Sequence, residues 1–286
     1  MKAPDLIWHY CPVESFRSIV ESSAIWLSNA QWLNDQTEMA WGRRLISSAL
    51  RRIADDATTD SYLVPYQSWN NTWPHVACFS TCKDSLPQWR AYADDGAGFA
   101  LGIAPRTLGI PISFPERLFV RRSDDRGEVM SDWAVFCFPM IYDVRGQRRE
   151  AAKAVQRFLD GRDPGKRVQG APPDEKLQKD AFAMTMAFKS PYFHEEREYR
   201  IAYGHLDPAR RFQGHERIGR LVRQPRNNQL RMYTPFSLAP SPSGESPIRV
   251  VRLGPKCKAG VAEVTRLLEN NRICDARVQR SRAPYR

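Results

Sequence analysis

The chain has no apolar run approaching the roughly 20 residues a bilayer-crossing helix needs. Its opening, Met1-Lys2-Ala3-Pro4-Asp5, passes into a strand-like Leu6-Ile7-Trp8 without a signal-peptide core, so a cytoplasmic location and no membrane partner are expected. Paired cysteine motifs are missing as well. Cys11, Cys78, Cys82, Cys137, Cys257 and Cys274 are widely scattered, four of them inside apolar strand-like runs, the pattern of buried, reduced thiols. His75, Cys78 and Cys82 lack a fourth ligand and a second Cys-x-x-Cys, so no metal site is expected.

Familiar catalytic signatures are absent too. His194-Glu195-Glu196-Arg197-Glu198 begins like a zinc-binding helix, but Glu198 stands where the second imidazole would have to be. No Gly-x-Ser-x-Gly elbow occurs. Gly96-Ala97-Gly98-Phe99-Ala100-Leu101-Gly102 has its third glycine one residue late for a dinucleotide fingerprint and leads into a strand. Gly161 to Lys166 lacks Walker spacing and reads as a loop. These gaps exclude zincin, α/β-hydrolase, Rossmann and P-loop chemistry by motif, and no paired metal carboxylates suggest a nuclease.

What is present is a globular composition: 286 residues, 42% hydrophobic and 11% aromatic. Basic residues exceed acidic ones 43 to 32, giving a net charge of +11. Much of the excess lies late, at Arg210, Arg211, Arg217, Arg220, Arg223, Arg226 and Arg231, then Arg277, Arg280, Arg282 and Arg286. That balance favours a polyanion or a phosphate-bearing ligand as partner, although no nucleic-acid-binding motif accompanies it.

Periodicity gives strand, helix, strand at the start: Leu6 to Tyr10, Glu14 to Ser22 and Ala24 to Ser28. A second amphipathic helix carries Met39 to Ile53, with Arg43, Arg44, Arg51 and Arg52 on its wet side. A loop from Asp55 to Pro74 leads to a buried strand, Val76 to Phe79. Asp84-Ser85 caps a short helix from Leu86 to Tyr92, and Phe99 to Ile103 resumes as strand. Further strands are predicted at Leu118 to Arg121 and Trp133 to Tyr142, then helices at Gln147 to Leu159 and Asp174 to Lys189. Pro235 to Pro247 reads as a connection, followed by strand Ile248 to Leu253, helix Ala259 to Asn270 and strand Cys274 to Val278. The pattern is α+β in a single domain spanning 1–286, without internal repeats.

Three stretches concentrate chemistry. Trp8-His9-Tyr10 closes the first strand, where His9 could meet a ligand hydroxyl, against the plainer reading of a satisfied structural histidine. Cys78-Phe79-Ser80-Thr81 through Trp89-Arg90-Ala91-Tyr92 offers stacking rings and a guanidinium, against the plainer reading that Phe79 and Trp89 are core. The third runs from Phe188 to Ile201. There Glu198 and Arg200, two apart on a strand, share one face while Tyr199 and Ile201 take the other. A surface ion pair is the plainer reading of that pair.

His9-Tyr10, Ile25-Trp26-Leu27-Ser28-Asn29, Asn34-Asp35, Phe79-Ser80, Trp89-x-x-Tyr92, Gly98 to Gly102, Phe188-Lys189, Glu196-x-Glu198-x-Arg200 and the closing Ser281-x-x-Pro284-Tyr285-Arg286 occur in that order. Together they resemble the bacterial family called domain of unknown function 2971. Asp35-Gln36 departs from it, since a proline usually follows that aspartate. The resemblance implies a place in bacterial defence or abortive infection, and with it a toxin-like effector having an immunity or antitoxin partner.

A second resemblance is at the level of topology, to the His-Tyr-Glu ADP-ribosyltransferases. It implies a bent or split mixed sheet flanked by helices, NAD as substrate, and an ADP-ribosyltransferase or NAD glycohydrolase activity on a nucleic-acid or protein acceptor. On matching positions, His9 would bind a ribose hydroxyl, Phe79 or Tyr92 would stack on nicotinamide, and Glu198 would stabilise the oxocarbenium-like ribose. Arg90 would hold the pyrophosphate, with Tyr10, Ser80, Trp89 and Arg200 completing the binding set. The departure is Phe79, near which a tyrosine is normal. The alternative is a non-catalytic ligand-sensing or nucleic-acid-binding module of a defence system.

Overall fold

A computed structural model describes residues 4–33, 38–54, 74–110, 112, 122–123, 129–130, 133–162, 185–205, 217–226, 229–241 and 244–285. The predicted strand at Leu118 to Arg121, the loop between Asp55 and Pro74, the turn at Asn34-Asp35, and all of the predicted Asp174 to Lys189 helix before 185 lie outside them.

The first unit is β1 (Ile7–Cys11), α1 (Val13–Ser22) and β2 (Ala24–Asn29), as the periodicity predicts. Phe16, Ile19 and Val20 of α1 are buried, and Ser23 ends the helix in the left-handed region at φ 48°. Then come α2 (Glu38–Ile53), β3 (His75–Ser80), α3 (Leu86–Tyr92) and β4 (Phe99–Ile103). Gly96 carries the turn after α3 at φ +88°, and a Cβ on Gly98 would collide with the Cys11 carbonyl oxygen. Two short strands, β5 (Arg122–Ser123) and β6 (Val129–Met130), pair with each other. The remainder is β7 (Trp133–Pro139), α4 (Val144–Arg162), β8 (Glu198–His205), β9 (Val222–Arg226), β10 (Gln229–Ser237), β11 (Ile248–Leu253), α5 (Val261–Asn270) and β12 (Arg277–Arg280).

Ten strands form one mixed sheet, so the predicted α+β class is what the chain adopts. Only β11 and β12 run parallel; the other described pairs are antiparallel. One face of the sheet packs Ile7, Phe79, Leu101, Ile201 and Phe236 beneath α1 and α5. The other carries two cores. Phe136, Phe138 and Ala202 pack under α2 and α4, while Trp8, Tyr10 and Ala100 pack under Trp89 of α3.

The middle of the sheet is split. β1 follows β4 for its whole length, from Ile7 opposite Ile103 to Cys11 opposite Phe99, but meets β3 only at Trp8 opposite Ser80. β2 meets β3 only at the far end, where Ser28 and Asn29 lie opposite Val76 and His75. Ala77, Cys78 and Phe79 therefore have no strand on that edge, although β8 pairs β3 along its entire other edge. An unpaired backbone edge must find other partners. The Cys78 carbonyl finds one in the His9 ring, at 3.0 Å.

Three sequence expectations change. The predicted connection from Pro235 begins inside a strand, since β10 runs to Ser237. The last strand lies at Arg277–Arg280 rather than Cys274 to Val278. Between Phe188 and β8 the chain makes a tight 3-10 turn, Pro191–Glu196, instead of passing directly from helix to strand. Among the described helices none is long and apolar enough to cross a membrane.

Candidate active site

The split opens into a cavity of about 820 Å³. Its size falls in the range of nucleotide and cofactor sites. Of the residues singled out in the sequence, His9, Tyr10, Phe79, Tyr92, Glu198 and Arg200 line it, whereas Ser80, Trp89 and Arg90 do not.

The helical wheel explains the second group. Gln88 and Tyr92 are one turn apart on α3 and both face the cavity, while Arg90 lies on the far side of the helix. Arg90 is exposed, its Nε donating to the Tyr285 hydroxyl at 3.3 Å, so the pyrophosphate role assigned to it has no geometry to act through. Trp89 is fully buried, edge-on to Tyr10 at 4.8 Å, with its indole N–H donating to Asp84 at 2.8 Å. Ser80 is a positioning residue: its hydroxyl donates to the Glu196 carbonyl at 2.7 Å and fastens the turn before β8. Tyr10 contributes its ring, since its hydroxyl donates to the Cys82 carbonyl at 2.8 Å and accepts the Ser85 N–H at 3.1 Å.

His9 enters from the α1 side of the sheet, its ring 5.6 Å from that of Phe79. Because a carbonyl only accepts, Nδ1 must carry the proton toward Cys78. Burial lowers the His9 pKa, against a smaller raising effect of that hydrogen bond, so the ring is neutral and Nε2 is an acceptor.

Glu198 and Arg200 leave the opposite face of the sheet, the face Cys78 takes through its register with Arg200. They meet the cavity because the sheet is open there. The pair is no surface ion pair: Arg200 is 2% exposed and Glu198 4%. Arg200 Nε donates to Glu198 Oε1 at 2.5 Å and Nη2 to Oε2 at 3.2 Å. Lys189 Nζ donates to Glu198 Oε2 at 2.5 Å and also bonds Glu196, whose carboxylate takes the Tyr92 hydroxyl at 2.9 Å. Burial alone would push the Glu198 carboxyl up. The adjacent Arg200 and Lys189 charges, with the Arg200 hydrogen bonds, outweigh it and hold the group below the usual carboxylate range.

Two features make the cluster possible. Arg197 adopts φ 43°, a left-handed turn between Glu196 and Glu198, both of which reach Lys189. Gln147 pins the Lys189 backbone, its amide donating to the Ile141 and Lys189 carbonyls at 2.6 Å each while its oxygen accepts the Trp41 indole N–H at 3.1 Å. The Cys78 thiol lies beneath, its pKa raised by burial first and then by Glu198. Two carboxylates and two cations balance in charge, and Tyr92 and Glu196 stand at the half-buried rim.

Sequence reasoning quoted Phe188-Lys189 and Glu196 as motif residues without giving them a role. Phe188-Lys189 stood out only as one of the motifs that carry the family resemblance. Trp26, Trp32, Arg231 and Tyr233, which line the far end of the cavity, were missed as site residues. The late arginines also divide by role. Arg217 is buried, with its guanidinium on the carbonyls of Thr107, Leu108, Ser237 and Ala239, and so fastens the fold. Among the described residues no group of three or more His, Cys, Asp or Glu is arranged to hold a metal.

Residues 88–201 match the family described as Protein of unknown function (DUF2971), so the family resemblance read from the motifs holds over that segment. No curated protein and no solved structure matches the chain. The matched segment carries Gln88, Tyr92, Lys189, Glu196, Glu198 and Arg200, while the walls made by β1, β2 and β10 lie outside it.

Proposed function

We propose that this protein binds NAD in the split-sheet cavity and breaks its nicotinamide–ribose bond, as an ADP-ribosyltransferase or NAD glycohydrolase working as an intracellular effector in bacterial defence. The observation that carries the reading is the meeting of His9, Phe79, Tyr92 and Glu198 on one cavity, although their strands and helix are far apart in sequence. His9 Nε2, held as an acceptor, suits a ribose hydroxyl. Phe79 and Tyr92 supply rings for nicotinamide. As the glycosidic bond breaks, its electron pair leaves with nicotinamide, and positive charge develops on the ribose. The fixed carboxylates of Glu198 and Glu196 favour that charge. Water, or an acceptor nucleophile, then attacks C1 and loses a proton, giving ADP-ribose or an ADP-ribosylated acceptor. For a polyanionic acceptor the supporting observation is the arginine cluster Arg43, Arg44, Arg51 and Arg52 around a shallow pocket on α2.

A specific observation favours a second reading, in which the site binds ligand without turnover. Both Glu198 oxygens are already engaged by Arg200 and Lys189, which spends the charge that would otherwise act on the ribose. Nicotinamide release from NAD by the purified protein separates the readings. The transfer reading expects release that Glu198→Gln lowers at least 100-fold. The binding reading expects an NAD-induced rise in melting temperature with no release.

A further inference from the structure

The cavity continues past the charged cluster, across β3 and β2, to β10. β8, β3, β2 and β10 are successive neighbours, and the register sets Glu198, opposite Ser80, at one end and Arg231, beyond the row Val76–Ser28–Tyr233, at the other, so the two stand at opposite ends of an elongated cavity. That reach suits a two-headed ligand.

The far end has its own construction. β2 and β10 pair from Ala24 opposite Ser237 to Ser28 opposite Tyr233, after which β2 turns into Ala30–Trp32. The turn brings Trp32 under Arg231, whose guanidinium carbon lies 5.8 Å from the indole centroid. Trp26 and Tyr233 form a second aromatic pair there, 5.0 Å apart and tilted by 38°. Gln224, opposite Arg231 on β9, lines the same end. The carboxylates lining the cavity among the described residues, Glu14, Glu196 and Glu198, belong to α1 and the β8 side.

Arg231 Nε is buried and has no hydrogen-bond partner. A buried N–H without an acceptor is destabilising, so natural folds retain few of them. This one lines a cavity, over the Trp32 indole, on a half-buried side chain. A guanidinium fork matches phosphate oxygens, and indole faces accept a flat base.

We infer that the β10 end of the cavity is a nucleotide subsite, with Arg231 binding phosphate and Trp26 and Trp32 giving stacking surface to a purine. It deepens the NAD reading by assigning the adenosine half of the ligand to β10, leaving nicotinamide ribose at β8. It rests on that reading only for the identity of the second head, because ADP-ribose alone satisfies the subsite.

The test is calorimetric titration of ADP-ribose, with AMP and inorganic phosphate as smaller probes, into wild type and Arg231→Met. ADP-ribose and AMP are expected to bind wild type, and Arg231→Met to weaken both at least tenfold. The unliganded melting temperature should stay the same or rise, because the substitution removes an unsatisfied group; a purely structural arginine would lower it. Absence of ADP-ribose binding, or equal affinity in Arg231→Met, overturns the subsite. Nicotinamide release on the same preparations keeps the two claims apart. Arg231-dependent ADP-ribose binding without release sustains the subsite and removes the transfer reading. Release with an unchanged KM in Arg231→Met overturns the subsite and leaves the transfer reading standing.

Discussion

Two carboxylates, the half-buried Asp84 and the buried Glu198, are each tied to an arginine and an aromatic neighbourhood, yet the clusters do opposite things. Asp84 accepts from the Trp89 indole at 2.8 Å, Arg252 at 3.0 Å, the Ser281 hydroxyl at 2.6 Å and the Arg282 N–H at 2.9 Å. Those donors come from α3, β11 and the closing segment, so one carboxylate sews three parts of the chain together. Burial pushes the Asp84 carboxyl up, but the hydrogen bonds from Ser281, Arg282 and Trp89 win and hold it below its ordinary value. Glu198, by contrast, shares Lys189 with a second carboxylate and faces a cavity. A seam can be closed by saturating one charge. A wall that must meet a ligand keeps a charge cluster at the surface of a void, with Glu196 and Tyr92 at its rim.

The largest effect expected from breaking either side is at Lys189. Lys189→Met leaves Glu196 and Glu198 crowded together beside Arg200 without the lysine that both of them bind, and should cost about 3–5 kcal/mol in denaturant unfolding, together with NAD binding. Asp84→Ala orphans four donors and should cost about 3 kcal/mol, while NAD affinity of the folded variant stays within twofold of wild type. If Asp84→Ala instead abolishes binding with little loss of stability, the contrast between seam and wall collapses.

Acid sets the wall against a third group, His75 of β3. Burial lowers the His75 pKa from 6.5 to about 4. The unfolded chain therefore takes up that proton first as the pH falls, and stability on the order of 2–3 kcal/mol should be lost between about pH 6.5 and pH 4. The Glu198 pKa is lowered too, but for a carboxyl that means the fold favours the charged form, so its contribution is present above the ordinary glutamate range and is lost only as the pH falls below it. Unfolding free energies measured from pH 7 to pH 4 should fall less steeply in His75→Gln than in wild type, the remaining slope coming from His9, whose pKa burial also lowers. The smallest effect is Tyr92→Phe, which removes the hydroxyl bonded to Glu196 and should cost about 1 kcal/mol in stability. An unchanged melting temperature there would mean the rim is not rigidly built.

Much of this was legible in the sequence because it is local. Alternation placed Glu198 and Arg200 on one face and Tyr199 and Ile201 on the other, and helical spacing gave α1, α3 and α5. The wheel of α3 also held the answer for Arg90, since Gln88 and Tyr92 share a side that Arg90 cannot reach. What stayed hidden depends on pairing between distant strands. Lys189 becomes part of the site only through the bridge of Phe188 to Ile141 and the Gln147 amide. β9 and β10 escaped notice because Pro225 and Pro235 argue against strands; Pro225 sits on the edge strand β9, where proline is tolerated, and Pro235 lies past Tyr233, where the β9 pairing ends. Without β10 the aromatic end of the cavity could not be foreseen. The split itself is a matter of where β1 and β2 part from β3, which no local pattern records.

The most direct measurement is calorimetric titration of NAD into wild type, His9→Ala and Asp84→Asn at pH 7, with unliganded melting curves alongside. The account expects one NAD site per wild-type chain, affinity at least tenfold weaker in His9→Ala, and unchanged affinity in a less stable Asp84→Asn. No binding to wild type, or equal affinity in His9→Ala, would contradict it.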